Sequence, residues 1–272
     1  MENREIPLAH SLARLAKGSD YTKIPKTRRL RLLWCLADFI ACIIAGSDLK
    51  EADTAFVLGE KGPIKLPGLP QYSFSPEGAA IASGVLGSLL QLHDGYGHGG
   101  NHPSSVLVPA LIAANGKNSL TSTKSVNALG AGYEICNRLA AFTHPEQSFL
   151  GSAPTGTMGA IGAAVVAGIC MELNIQKLAE AISIAAFLAP MSVYESLKVR
   201  GSAVPLHSGI AARTGVEAAK LAASGFSGGT TVLEGRPNNP GLLNLLKGEI
   251  KSLKPNNKIK SRILSLKSDR WK

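Results

Sequence analysis

His93, Asp94, Tyr96, His98 and His102 fall in one ten-residue stretch, inside the segment Gln91-Leu-His-Asp-Gly-Tyr-Gly-His-Gly-Gly-Asn-His102. Imidazoles exchange protons near neutral pH and a carboxylate can orient or charge them, so the grouping points to general acid/base work. Three of the chain's six histidines are here, on a backbone loosened by Gly95, Gly97, Gly99 and Gly100. Clustered glycines usually mark positive φ or close backbone approach to something bound. The stretch ends at Pro103-Ser104-Ser105, where a serine can N-cap the apolar run Val106 to Ala114 and Gly116 can end it. His102 then sits beside unpaired amides at a helix start, a place that favours bound anions. The expected chemistry is acid/base catalysis on a carboxylate substrate; the plain alternative is a polar loop whose histidines are satisfied within the protein. His93, Asp94, His98 and His102 are also the ligand types of a metal hydrolase, but a glycine loop offers no rigid helical ligand pair.

Helical segments must hold this loop in place. Ile6 to Ala16 reads as a short amphipathic helix. A second follows Pro25 and runs through Leu32, Leu33, Leu36, Ile40 and Ile43 to Gly46, spacing that keeps one wide face apolar. Lys61 to Pro76, rich in proline and glycine, reads as an irregular loop. Ser75-Pro76-Glu77 is a strong helix start, and Ile81, Val85 and Leu89 carry that helix into the histidine loop. Beyond it come an Ala/Gly-rich helix from Val126 to Phe142 and another opened by Pro154-Thr155-Gly156-Thr157. Its small residues permit close interhelical contact, and its hydroxyl-rich mouth is a candidate anion site. Asn174 can cap a helix ending near Leu188. The basic connector Lys198 to Pro205 leads to Leu206-His207-Ser208-Gly209 and an amphipathic helix closed by Gly225. No run of alternating strands appears, so the fold class is mainly α, an all-helical bundle with little or no sheet.

Composition narrows the partners. The net charge is +10, yet Lys247 to Lys272 holds nine basic residues against Glu249 and Asp269, leaving only +3 for the remainder. Basicity confined to a tail without aromatic interleaving predicts no nucleic-acid reader. The expected organisation is a helical domain over 1–245 and a basic tail over 246–272. The N-terminus lacks a secretory pattern, and Glu2 and Glu5 argue against a transit peptide. Leu30 to Gly46 and Thr155 to Met171 fall short of the roughly 20 strongly apolar residues a bilayer needs, so no membrane span is expected. The four cysteines, Cys35, Cys42, Cys136 and Cys170, lie in apolar surroundings without metal-binding spacing and read as reduced core residues. The protein is accordingly expected inside the cell, cytoplasmic or mitochondrial.

Ordered motifs along the chain carry a resemblance. His-Asp-Gly-Tyr at 93–96, His-Pro-Ser-Ser at 102–105, Gly-Tyr-Glu at 132–134, Pro-Thr-Gly-Thr-Met-Gly at 154–159, Leu-His-Ser-Gly at 206–209 and Leu-Glu-Gly at 233–235 together resemble the 2-methylcitrate dehydratase (MmgE/PrpD) family. The resemblance implies a mainly helical first domain without the family's usual α+β lid, a homodimer, and cofactor-free, metal-free lyase chemistry. The implied substrates are small polycarboxylates such as 2-methylcitrate, an alkylcitrate or cis-aconitate, with dehydration, decarboxylation and an epimerase branch all known in the family.

It also transfers residues unevenly. His102 stands at the family's active-site histidine, Asp94 at an acidic position, and His207 at the histidine of the Leu-His-x-Gly segment; these are the expected catalytic residues. Gln91, Tyr96, Thr155, Gly156, Thr157 and Arg200 are the expected substrate-binding residues. Departures are equally specific: His93 and Gln91 replace acidic residues, Val204 replaces a lysine, and Ala153 replaces a histidine. The leading expectation is a lyase on a citrate- or aconitate-like acid. The alternative is a diverged, non-catalytic member that binds a carboxylate or partners a full-length homologue.

Overall fold

The computed structural model describes residues 6–20, 23–116 and 119–247. The chain opens with α1 (Leu8–Gly18), α2 (Lys26–Gly46) and α3 (Ala52–Leu58), then a hairpin of β1 (Lys61–Leu66) and β2 (Leu69–Phe74). Helices α4 (Pro76–Ser88) and α5 (Ser104–Ala114) flank the histidine loop, followed by α6 (Thr123–Thr143) and the single turn α7 (Glu146–Phe149). The second half holds α8 (Pro154–Cys170), α9 (Ile175–Leu188), α10 (Glu195–Lys198) and α11 (Leu206–Ala223). A small hairpin, β3 (Gly235–Arg236) with β4 (Asn239–Pro240), and α12 (Leu242–Lys247) follow. The architecture is mainly α, as the apolar spacing predicts. Only Leu246 and Lys247 of the expected basic tail are described, as the end of α12; the rest lies outside the described residues.

Lys61 to Pro76 corrects the sequence reading. Instead of an irregular loop, residues 61–66 and 69–74 pair antiparallel with register shifts, and Leu66, Leu69 and Phe74 are buried. Pro63, Pro67 and Pro70 hide the alternation, but a two-stranded ribbon is all edge, where a missing N–H does little harm.

Local chemistry sets the helix starts. Ser75 Oγ accepts the Gly78 amide at 3.0 Å, and Asn174 Oδ1 accepts the Lys177 amide at 2.9 Å. The core lies where α5, α6, α8 and α11 meet; every α8 residue except Ile169 is buried. Leu107, Leu111, Ile161, Val165 and Val166 are fully buried there, each worth about 1.5–3 kcal/mol relative to exposure. Beneath α11, α4 crosses backbone to backbone: a Cβ on Gly84 would lie 2.6 Å from the Gly209 Cα. Among the described residues no helix is long and apolar enough to cross a membrane. Cys136 and Cys170 are buried free thiols pushed up to about 12, chiefly by burial.

Candidate active site

The loop from Leu89 to Pro103 folds back on itself. Tyr96 N donates to Asn101 O at 2.8 Å and Gly99 N to Tyr96 O at 3.0 Å. Asn101, buried, pins the return by donating through Nδ2 to Asn137 Oδ1 at 3.1 Å. Gly100 has φ +58°, and a Cβ there would meet His144 Nδ1 at 2.6 Å. The close approach that demands this glycine is therefore to the protein itself.

Asp94 is the loop's structural centre. Its Oδ1 accepts the Ser104 amide at 2.9 Å and the Ser104 hydroxyl at 2.6 Å, while Oδ2 accepts the Tyr133 hydroxyl at 2.7 Å. The expected serine cap on α5 is thus corrected. The N-cap position is Pro103, which has no side-chain donor or acceptor, and the Asp94 carboxylate does the capping from ten residues away. The anion expected at this helix start is likewise the protein's own, where the macrodipole favours it. Tyr133 is buried, and burial together with Asp94's charge pushes its phenol well above the usual range. Burial first, then Asp94, also raises the neighbouring Cys35 thiol to about 11.

His102 is fixed on several sides. Its Nδ1 lies 2.7 Å from the Asp94 main-chain oxygen; a carbonyl only accepts, so Nδ1 carries hydrogen and the neutral ring keeps its lone pair on Nε2. Its amide donates to Thr155 Oγ1 at 3.0 Å, tying the loop to the start of α8. Its carbonyl accepts the Ser105 hydroxyl at 2.7 Å, and Ser208 Oγ donates to Ser105 Oγ at 3.1 Å, reaching the start of α11.

One further imidazole packs on it, and a third lies at the start of α11. His93 packs edge-on to His102 with ring centroids 4.9 Å apart and also faces Phe39. His207, in the first turn of α11, feels the charge of both His102 and His93. Burial, then His102, lowers His93; burial, then His102 and His93, pushes His207 down to about 4. Buried His93 Nε2 and His207 Nδ1 have no hydrogen-bond partner. The arrangement is therefore a triplet of imidazoles in which two are held neutral at pH 7.

The remaining expected residues are dispersed. Thr155, buried, uses an oxygen lone pair on the His102 amide and keeps its own hydrogen. Thr157 accepts from Gln147 Nε2 at 3.2 Å and donates to Pro190 O at 3.2 Å, so both its roles are taken inside the protein. Gly156 is buried beside them in the first turn of α8. Gln91 is exposed, its amide donating back to Ser88 O at 2.6 Å. Tyr96 is half-buried with exposed His98 against its ring at 5.8 Å. Arg200 is exposed at φ +53°, on the connector between α10 and α11. Among the described residues, no group of three or more His, Cys, Asp or Glu is arranged to hold a metal ion. Sequence reasoning missed Tyr133 and Ser104 as partners of Asp94. The available signal was a tyrosine inside an Ala/Gly-rich helix, whose buried hydroxyl needs an acceptor.

Comparison with known proteins bears on this geometry. The model of the MmgE/PrpD N-terminal domain matches residues 10–249. Cis-aconitate decarboxylase of Mus musculus is 27% identical over 172 residues, covering 61% of this chain and 34% of the relative. Cis-aconitate decarboxylase of Homo sapiens is 29% identical over 174 residues, covering 61% of this chain and 35% of the relative. The matched region spans about a third of the length of these curated relatives.

Proposed function

Because this chain belongs to the MmgE/PrpD family, we propose that it is a lyase for a small polycarboxylate of the citrate or aconitate class, with His102 as the principal proton-transfer group. The carrying observation is the packing of His93 edge-on to His102, with the start of α11, which carries His207, tied to the same site through Ser208 and Ser105. The likeness to two decarboxylases of cis-aconitate supports the substrate class.

The triplet's electrostatics divide the work. His93 and His207 are neutral at pH 7, and each is pushed further down by charge on His102. Of the three rings, His102 is the one with the closest fixed acceptor behind it. In a dehydration, Nε2 takes the carbon-bound proton, the C–H pair forms the double bond as the C–O bond breaks, and Nε2 returns that proton to the departing hydroxyl, which leaves as water. In a decarboxylation, the C–C electron pair is left on carbon, CO2 departs, and the protonated ring supplies the replacement proton. Either route uses one well-placed acid/base group, typically worth ~10²–10⁴-fold. Thr155, whose oxygen holds the His102 amide, is the proposed donor to a substrate carboxylate, and Asp94 acts as a positioning residue through its main-chain oxygen.

Turnover of 2-methylcitrate, an alkylcitrate and cis-aconitate, followed by NMR, tests the reading. Wild type converts at least one acid, and His102→Ala loses about 100-fold or more. Equal rates in the two proteins would remove His102 from the chemistry.

A second reading, a non-catalytic carboxylate binder, is favoured by Val204 and Ala153, apolar residues where the family resemblance places a lysine and a histidine. Saturable cis-aconitate binding without turnover selects it. Homodimer formation belongs to the same proposal: Phe149, Leu150, Met191 and Val193 are exposed around the Ser152–Val193 bridge, an apolar patch suited to a second copy. Light scattering at micromolar concentration tests that assembly.

A further inference from the structure

The Asp94 main-chain oxygen accepts from two imidazoles: His102 Nδ1 at 2.7 Å and His93 Nδ1 at 3.4 Å. A carbonyl has lone pairs and no hydrogen, so each neutral ring carries its proton on Nδ1 and a bare lone pair on Nε2. Both Nε2 atoms lie on the ring edges turned away from the shared oxygen, and the ring centroids are 4.9 Å apart. The chemistry proposed above uses His102 Nε2 and leaves His93 Nε2 without a task. His93 is only 8% exposed, and its buried Nε2 has no hydrogen-bond partner. The nearby Ser88 hydroxyl, also buried, is likewise without one, so it does not serve the ring. Phe39 packs against another side of His93, with centroids 6.1 Å apart. Burial first, then charge on His102, lowers the ring, so at pH 7 His93 stays an acceptor.

An acceptor left bare in such surroundings is costly and calls for a donor. A metal ion suits the pair poorly, because among the described residues no third His, Cys, Asp or Glu joins it. An ionised carboxylate has no hydrogen to give, and its charge would face a lone pair. A hydroxyl does have one. We propose that His93 is a specificity-determining residue whose Nε2 accepts the hydroxyl of a hydroxy-polycarboxylate, so that the site prefers a citrate-like acid to one without that hydroxyl. The proposal rests on the polycarboxylate function proposed above and names the member of that class. Donating to His93, the substrate hydroxyl keeps oxygen lone pairs free for His102. The carbon-bound proton taken by His102 Nε2 goes to that oxygen, and the C–O pair leaves with it as water. A site built to bond a hydroxyl rejects the analogue lacking it, because its own buried group is then left unmet.

Citrate and tricarballylate differ by one hydroxyl, which makes them the probes. Ligand-observed NMR titration of the full chain at neutral pH measures each affinity and reports any turnover at the same time. Wild type is expected to bind citrate about tenfold or more tighter than tricarballylate. His93→Phe should bind the two acids about equally, and His93→Gln, which retains an acceptor, should keep part of the preference. If His93→Phe melts early, His93→Leu, smaller and also without an acceptor, takes its place. Equal affinities in wild type, or a citrate preference that survives loss of the acceptor, would overturn the inference and leave the lyase function standing. A preference that depends on His93 without turnover of any acid would support the inference and remove the lyase function. Failure of both acids to bind would overturn the two together.

Discussion

His207 turns burial into a dependence on pH. Its folded value near 4 lies below the ordinary 6.5, and His93 is lowered in the same direction. Above pH 6.5 both folded and unfolded chains leave His207 neutral, so it adds no pH dependence there. Below that the unfolded chain takes up a proton that the folded chain refuses, and stability falls until about pH 4. The loss for His207 alone is about 3 kcal/mol across that window. Urea unfolding from pH 7.5 to 4 should show this slope, and His207→Phe should flatten it. Tyr133→Phe removes one of three donors to a partly buried carboxylate. It is expected to cost about 1.5–3 kcal/mol, measured by the same unfolding experiment.

At the scale of elements, the close crossing of α4 and α11 constrains the helix that carries His207. Gly84→Ala puts a methyl 2.6 Å from the Gly209 Cα, with backbone rather than a yielding side chain opposite. A loss of about 1–3 kcal/mol is expected from thermal unfolding, with the His207 ring resonances displaced in NMR spectra. Helix existence was the most readable property of the chain. Ser75, Asn174 and the apolar spacing after Pro25 predict starts and faces that the structure shows. The cap on α5 was not readable, because Asp94 reaches it through a loop whose return depends on Asn101 and Asn137, partners 36 positions apart. The β1–β2 hairpin was hidden by its prolines. The histidine triplet was half readable: side-chain type marked His93, His102 and His207, but only tertiary packing shows that two of them lose their solvent and are held neutral.

Across the whole molecule, Glu234 links the two ends of the described fold. Its Oε1 accepts the Leu8 amide at 2.9 Å, so a side chain 226 positions away serves an opening amide of α1, whose own N-cap residue, Pro7, supplies no side-chain bond. Glu234→Ala should lower stability by about 1 kcal/mol, as loss of a helix cap does. Amide hydrogen exchange should quicken first in α1. The same bond bears on biosynthesis. Helix α1 packs on α6 and α9, and its buried Leu8 and Leu12 have no such cover until those helices have left the ribosome. Helix α1 thus leaves the ribosome ahead of the helices that secure it, and a nascent chain halted before α9 presents an apolar stripe for chaperones to hold.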